Sequence, residues 1–134
     1  MVAHARVVGT AIAALIALGG VAQADILSGG PLYGGAPSIG GVVTCRFFNT
    51  GTSNVTFAHR QIWANTGSLV PLISDSCNVA TAPGKYCAYS AGITGNFAYS
   101  CRAVINGINN NVSGEMDIVV GAPANVLFVL PLHR

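Results

Sequence analysis

The sequence predicts an all-β fold, a single antiparallel β-sandwich of about seven strands with two disulfides. This domain follows an N-terminal signal peptide. Short runs rich in β-branched and aromatic residues recur at regular spacing between turn signals made of Gly, Pro and Asn. No segment after residue 24 has the apolar spacing of three and four residues that an amphipathic helix needs. All four cysteines lie downstream of the signal, which is typical of a secreted domain with a disulfide framework.

Residues 1–24 have the layout of a cleavable signal peptide. A short basic region ends at Arg6, and an apolar run at 7–21 follows it. This run is shorter than the ~20 residues that a membrane-spanning helix needs, and the small residues Ala22 and Ala24 mark a cleavage site. We expect cleavage after Ala24 and a secreted or periplasmic mature chain with no integral membrane anchor.

Residues 25–41 are expected to form either a flexible arm or a broken first strand. Between positions 28 and 41 the chain has six glycines and two prolines, a composition too loose for the interior of a strand. The remaining residues, 42–134, are then one β-sandwich domain, because the mature chain is long enough for one modest core and too short for a second.

Seven runs within residues 42–134 have β character. They cover residues 42–48, 55–63, 68–74, 86–90, 97–105, 112–120 and 126–130. Alternation within two of these runs predicts which side faces the core. In the first run Val43, Cys45 and Phe47 share one face, and in the fifth run Tyr99 and Cys101 share one face. Both Cys45 and Cys101 are therefore expected to point inward.

The four cysteines allow three different pairings. We prefer Cys45 with Cys101, because both point into the core, and this leaves Cys77 to pair with Cys87 across a Pro-Gly turn. In the chain-entropy model the long loop contributes roughly 4 kcal/mol and the short loop roughly 3 kcal/mol. The centre of that turn does not set Cys77 opposite Cys87, so an irregular segment is expected at 78–82.

Two turn motifs resemble the hydin-like (ASH) immunoglobulin-like domains of bacterial secreted and surface proteins. Residues 48–52 read Phe-Asn-Thr-Gly-Thr, and Cys77 is followed at 82–87 by Ala-Pro-Gly-Lys-Tyr-Cys. The resemblance covers roughly residues 42–120 and implies an immunoglobulin-like sandwich with a structural or binding role and no catalytic residues. Cys45, Cys101 and Tyr99, which lie outside this motif, resemble the core disulfide and tyrosine corner of immunoglobulin domains.

Glu115 and Asp117 are the nearest approach to a catalytic or metal-binding pair. Residues two apart on a strand project from the same face, where two carboxylates could share a cation or flank a substrate. No sugar-stacking aromatic residue surrounds them in the sequence, so paired-carboxylate hydrolysis is not predicted. The asparagines at 109–111 could add calcium ligands, but the ordered aspartate spacing of a dedicated calcium loop is missing. A solvated strand face is the favoured interpretation.

His59 is the other candidate for chemistry. A lone histidine in a strand is usually an exposed or packed side chain, and the chain has no Gly-x-Ser-x-Gly elbow. The cysteine spacings are wide and no histidine repeats beside them, so no zinc site is predicted. The sequence therefore predicts no catalytic residue, no metal and no cofactor. A deep polar pocket lined by His59, Asp75 or the pair of Glu115 and Asp117 would instead favour an enzyme.

The mature chain carries too little charge to bind nucleic acid. Five cations stand against four carboxylates in residues 25–134, which gives a net charge of +1 and no basic face for phosphates. The favoured function is a non-catalytic structural or adhesion module that binds an unknown protein or glycan surface through Gly-rich and Asn-rich loops. Two alternatives stay open: a self-assembling homo-oligomer that exchanges a strand from 25–41 or 126–130, and a small secreted enzyme or enzyme inhibitor.

Asn54 and Asn111 each begin a sequence that matches a glycosylation sequon. Such sites are used only in a eukaryotic secretory pathway, and the short Ala-rich signal is more typical of bacteria. Chance occurrence in an Asn-rich and Thr-rich chain is therefore the favoured interpretation.

Overall fold

The fold is all-β, as the sequence predicts. The structure, a computed structural model, describes residues 24–34, 40–107, 111–120 and 125–134. These residues form eight strands in two antiparallel sheets, and no helix occurs among them. Apart from Ala24, the predicted signal peptide lies outside the described residues. Within the described part of the chain, no helix is long and apolar enough to cross a membrane.

The strands divide into a small sheet and a large sheet. The strands are β1 (Asp25–Tyr33), β2 (Gly41–Asn49), β3 (Phe57–Ala64), β4 (Ser74–Asp75), β5 (Tyr86–Gly92), β6 (Ala98–Ile105), β7 (Val112–Val120) and β8 (Asn125–Pro131). The three-stranded sheet has the order β1-β6-β3, and the five-stranded sheet has the order β4-β5-β2-β7-β8. Because β2 and β6 are central strands, each sheet contributes one well-buried strand to the space between them.

The core lies between the inner faces of these two sheets. The Cys45–Cys101 disulfide joins β2 to β6 across it, with the two Cα atoms 5.9 Å apart. The ring of Phe47 packs against Phe57 at 5.2 Å and against Tyr89 at 5.6 Å between ring centroids. The inward residues predicted for β2 and β6, including Val43 and Tyr99, are buried. Alternation in the sequence therefore predicted both the inner faces and the inter-sheet disulfide correctly.

The second predicted disulfide, Cys77–Cys87, is also present, with its Cα atoms 5.0 Å apart. The segment at 78–82 has no ladder of its own, which confirms the expected irregularity. One isolated bridge, between Thr81 and Val55, ties this segment to the rest of the chain. The disulfide therefore fixes a loop that few backbone hydrogen bonds would hold.

The predicted strand at 68–74 is wrong. Most of this segment is a loop that lies along the outer edge of β3, where Val70 N donates to Ile62 O at 2.8 Å and Leu69 forms an isolated bridge with Trp63. Pro71 has no backbone N–H and cannot continue a ladder. Regular pairing resumes only in the two residues of β4. Of the apolar residues that suggested a strand, Leu69 and Ile73 are exposed, whereas Val70 and Leu72 are half-buried against the core.

The first strand forms despite its glycines. The sequence left a flexible arm or a broken strand open for 25–41, and the structure has β1 paired with β6 through a register shift between Gly29 and Leu32. Two buried leucines, Leu27 and Leu32, hold this strand to the core. Gly30 has φ +111°, and a Cβ there would lie 2.8 Å from the carbonyl oxygen of Tyr99. The strand is irregular at its glycines, and glycine is what lets β1 pass so close to β6.

The two turn motifs meet at one buried side chain, Asn49, which is 1% exposed. Its Nδ2 donates to Ser53 O at 2.8 Å and Thr81 O at 2.9 Å, and its Oδ1 accepts from Gly51 N at 2.9 Å. Its backbone C=O accepts from Gly84 N at 2.8 Å. Asn49 therefore clamps the end of β2 to the turn that leads into β5.

Candidate functional site

The candidate site is an open cleft on the outer face of the five-stranded sheet, which we call the interface cleft. Its volume is about 620 Å³. Strands β2, β5, β7 and β8 supply its lining, which consists of Arg46, Phe47, Phe48, Tyr86, Ser113, Gly114, Glu115, Val129 and Pro131. This volume falls within the range of ordinary ligand pockets, although the cleft is a broad depression on a sheet rather than an enclosed cavity.

Sheet register brings the large apolar side chains of the cleft together. Phe48 on β2 is directly opposite Tyr86 on β5 and Ser113 on β7. Phe48 is 43% exposed and Tyr86 is 71% exposed, so this pair of rings stands in solvent. Val129 on β8, 54% exposed, lies opposite Asp117, on the other side of the Arg46 and Glu115 row from Phe48. Strands β2 and β5 thus bring two exposed rings together from residues far apart in sequence.

The turn between 82 and 85 positions Tyr86. Lys85 N donates to Ala82 O at 3.1 Å, and Gly84 has φ +67°, which gives a type II turn with Pro at its second position and Gly at its third. The Asn49 clamp described above holds this turn against the end of β2. Phe48 and Tyr86, next to the clamp on each strand, are therefore presented on a fixed backbone.

The next row of the face carries the charges. Arg46 on β2 is opposite Glu115 on β7 and lies beside Asp117, with which it forms an ion pair. Its Nη1 is also 4.0 Å from Glu115 Oε1. Asp117 is 3% exposed, and its Oδ1 has no hydrogen-bond partner among the described residues. The solvated face expected for this pair is therefore wrong at Asp117, because Arg46 and the surrounding strands cover it.

The structure does not assemble a hydrolytic triad from the other predicted candidates. Asp75 accepts from Arg60 Nε at 2.6 Å and from Cys77 N at 2.9 Å, so its carboxylate is occupied. His59 is exposed, and it lines a separate shallow cleft with Arg60 and Leu69. The described lining of that cleft contains neither a serine nor an acidic residue.

The metal and glycosylation candidates are also dispersed. The described ranges contain no group of three or more His, Cys, Asp or Glu side chains that could hold a metal ion. Asn109 and Asn110 lie outside the described residues. The backbone oxygen of Asn111 accepts from Thr50 N at 2.8 Å, so it belongs to a turn contact. Asn54 and Asn111 are both exposed.

The buried tyrosine Tyr89 is a structural group. It lies on the inner face of β5 opposite Cys45, and its hydroxyl donates to Arg102 O at 2.8 Å. Burial raises the pKa of Tyr89 well above the ordinary value of a tyrosine. Its hydroxyl therefore stays protonated and serves as a hydrogen-bond donor between the two sheets.

The sequence analysis did not predict this site, because it placed binding in the Gly-rich and Asn-rich loops instead of on a sheet face. Alternation did place Arg46 and Phe48 on the outward face of the first run, which was a usable signal. That signal did not show which strands flank β2, and without the order β5-β2-β7 the exposed aromatic pair cannot be recognised. The predicted absence of catalytic residues stays a prediction.

Comparison with known proteins finds no match for this chain. No protein-family model matches it. No curated protein and no solved structure is detectably similar to it.

Proposed function

We propose that this chain is an exported, non-catalytic binding module that docks a partner protein on the outer face of its five-stranded sheet. The observation that carries the proposal is the neighbouring exposed rings of Phe48 and Tyr86 beside the charged residues Arg46 and Glu115. Monomeric proteins seldom expose large rings together without a use for them, and such patches commonly mark interaction sites.

The composition of the patch favours a protein partner. Aromatic residues and arginine are enriched in protein interfaces and supply most of their binding hot spots. Here two rings form the centre, while Arg46, Ser113 and Glu115 supply a polar rim. The sheet backbone holds these groups in place, so little conformational entropy is lost when a partner binds.

The state of the charges supports binding over catalysis. Arg46 is paired with Asp117 and lies near Glu115, so neither carboxylate stands ready as a base or a nucleophile. The cleft is also open to solvent, whereas catalytic groups usually work where water is excluded. An ion pair at the rim instead sets partner specificity and orientation.

Export is part of the same proposal. Two disulfides, with no free cysteine among the described residues, indicate an oxidising extracellular or periplasmic environment. The signal-peptide layout of residues 1–24 supports secretion as the route. A disulfide-stapled sandwich with a fixed binding face suits a protein that works outside the cytoplasm.

We further infer that the sandwich is immunoglobulin-like and related to the hydin-like (ASH) domains. Support for the immunoglobulin-like fold comes from the disulfide between the sheets and from Tyr99, whose hydroxyl accepts from Thr94 N at 3.2 Å as in a tyrosine corner. The turn motifs at 48–52 and 82–87 support the relation to the hydin-like domains. Two features differ from an antibody domain. Strand β7 pairs with β2 rather than β6, and Ile62 on β3 is buried whereas its neighbour Trp63 is only half-buried.

The experiment is a capture assay with a matched pair of variants. The mature chain, residues 25–134, is produced oxidised, immobilised and exposed to extracellular proteins of the producing organism. Phe48→Ser with Tyr86→Ser is expected to abolish retention of the partner, because it removes the two central rings. Bound proteins are identified by mass spectrometry and their affinity is measured with purified partner.

The control replaces two exposed apolar residues elsewhere, Ile73→Ser with Val79→Ser, which are 65% and 66% exposed. It should retain the partner with unchanged affinity. Both double variants should unfold within about 0.5 kcal/mol of the parent, because they alter surface positions. Equal retention by the patch variant and the parent would contradict the proposal.

A second candidate function is self-assembly, which the edge strand β8 favours. Among the described residues β8 pairs only with β7 along its length, and Val129 and Leu130 are both exposed. An apolar edge of this kind can pair with the same edge of another copy. Sedimentation velocity over a wide concentration range tests it: self-association that Val129→Lys removes would replace the partner protein by a second copy.

A further inference from the structure

A second cleft lies on the opposite outer face of the sandwich, and we call it the Trp63 groove. Its volume is about 560 Å³. Most of its lining comes from β1, β3 and β6 of the three-stranded sheet, with two residues of β8 and one of the C-terminal segment after it: Ser28, Gly29, Gly30, Trp63, Ser100, Cys101, Arg102, Leu130, Pro131 and His133. It shares only Pro131 with the interface cleft, so the two sites are distinct.

The shape of the groove follows from small residues placed between large ones. Trp63 on β3 is opposite Ser100 on β6, and Gly30 of β1 comes next across the sheet. A Cβ added to Gly30 would lie 2.9 Å from Ser100 Oγ, so a larger residue than glycine would fill the bottom of the groove. Leu130, 36% exposed, rises on the far side. The result is a trough with the indole as one wall.

The C-terminal segment fixes the far wall. Ser28 and His133 exchange two backbone hydrogen bonds, each 2.8 Å long, which tie the end of the chain to β1. Leu132 fills the space behind them and is 6% exposed. The groove is therefore a built feature of the fold, closed at its far side by a bridge between the two sheets.

Arg102 brings a positive charge to this groove and has no ion-pair partner among the described residues. Its Nη1 donates to Gln61 Oε1 at 2.8 Å, which is a neutral partner that orients the side chain. The ion pairs among the described residues are Arg46–Glu115, Arg46–Asp117, Arg60–Asp75 and Arg134–Asp25, and Arg102 is in none of them. Within the described ranges the guanidinium makes this one hydrogen bond, so its remaining donors can meet an anionic ligand.

We propose that the Trp63 groove binds an acidic saccharide of the uronate class. The C–H face of a sugar ring stacks on the indole of Trp63, since aromatic faces carry partial negative charge. The carboxylate on the same sugar pairs with the guanidinium of Arg102. Arg102 lies on β6, the strand next to Trp63, in the position diagonally opposite it. The hydroxyls of Ser28 and Ser100 meet the sugar hydroxyls. This site is independent of the partner-protein face.

Trp63 provides a direct measurement, because it is the single tryptophan of the chain. The mature chain is titrated with a hexamer of galacturonic acid while the emission of Trp63 is recorded. A saturable change in emission is expected. The matched neutral probe is the carboxyl-reduced hexamer, which should bind about tenfold more weakly or worse, because it loses the charge-assisted bond to Arg102.

The variants test the role assigned to Arg102. Arg102→Gln should weaken binding of the acidic hexamer by about tenfold or more, and should lose the difference between the acidic and neutral probes. Arg102→Lys keeps the charge without the planar fork and should fall between the two. The control is Lys85→Gln, which removes an equal charge from the exposed 82–85 turn and should leave the affinity unchanged. Thermal unfolding verifies that each variant is folded.

Three results would overturn the proposal. The first is an unchanged Trp63 emission with the acidic hexamer. The second is an equal loss of affinity in Lys85→Gln and Arg102→Gln, which would mean attraction by net charge alone. The third is equal binding of hexaglutamate, which has the carboxylates but no sugar ring, because the stacking partner would then be unnecessary.

Discussion

The two sides of β2 differ in burial, and the difference separates stability from binding. Val43, Cys45 and Phe47 on the inner side are at most 1% exposed and pack between the sheets. Arg46 and Phe48 on the outer side line the interface cleft. Because alternate residues of one strand have such different surroundings, inner substitutions should change the free energy of unfolding and outer ones should change partner affinity.

The largest effect is expected at the inner side, from removing the inter-sheet disulfide. Cys45→Ala with Cys101→Ala should lower the free energy of unfolding by about 4 kcal/mol, because the unfolded chain regains the freedom of a long loop. The buried site also loses two sulfur atoms, which adds to the loss. Urea unfolding measures both this variant and its comparison.

The comparison is Cys77→Ala with Cys87→Ala, which opens a loop with a sequence separation of 10 instead of 56. It should cost about 3 kcal/mol. The inter-sheet disulfide is decisive for the fold only if its removal is the more damaging of the two. The reverse order would mean that the 78–82 loop, rather than the sheet-to-sheet contact, limits stability.

A smaller loss of stability is expected from breaking the Asn49 clamp at the end of β2. Asn49→Ala should destabilise the protein by about 2 kcal/mol, because it strips Thr81 O of its amide donor and leaves Gly51 N without its acceptor. Asn54→Ala, at an exposed asparagine in the same loop, is the control and should be neutral within about 0.5 kcal/mol.

The Asn49 clamp should affect partner binding as well as stability. Since Phe48 and Tyr86 flank it, Asn49→Ala should weaken partner binding as well as stability, whereas the disulfide variants should spare binding while they remain folded. Partner affinity of the folded Asn49→Ala protein measures this. Unchanged affinity would show that the sheet ladder alone positions the two rings.

Sequence alone was sufficient for the interior of the fold. Period-two alternation identified the buried sides of β2 and β6, and it thereby selected the correct cysteine pairs. The pattern is strong there because a one-residue shift would expose a cysteine and a phenylalanine together. The loop at 68–74 was misjudged, because short apolar runs do not reveal whether a neighbouring strand is present.

The candidate sites were not predictable for a related reason. An exposed Phe48 becomes a site only beside Tyr86, and Trp63 becomes one only beside Ser100 and Arg102. Each pairing depends on the strand order, which is set by packing of the whole chain and not by any local pattern. Asp117 illustrates the same limit, since it looks like a surface residue in the sequence and is buried through its neighbours.

The smallest expected effect at neutral pH separates the two sides of β5, where Tyr89 faces inward and Tyr86 faces outward. Tyr89→Phe should cost about 1 kcal/mol through its lost hydrogen bond to Arg102 O.

Burial raises the pKa of Tyr89 in the folded protein, so above the ordinary tyrosine pKa of about 10 only the unfolded chain ionises there. Its contribution to stability is therefore complete below that pH and is lost as the pH rises beyond it, by up to about 1.4 kcal/mol per pH unit. The stability gap between the parent and Tyr89→Phe should consequently close and reverse in urea unfolding between about pH 8 and about pH 11, while Tyr86→Phe serves as the matched control. A gap that stays constant across this range would mean that Tyr89 reaches water in the folded state and that the inner side of β5 is less closed than the inner side of β2.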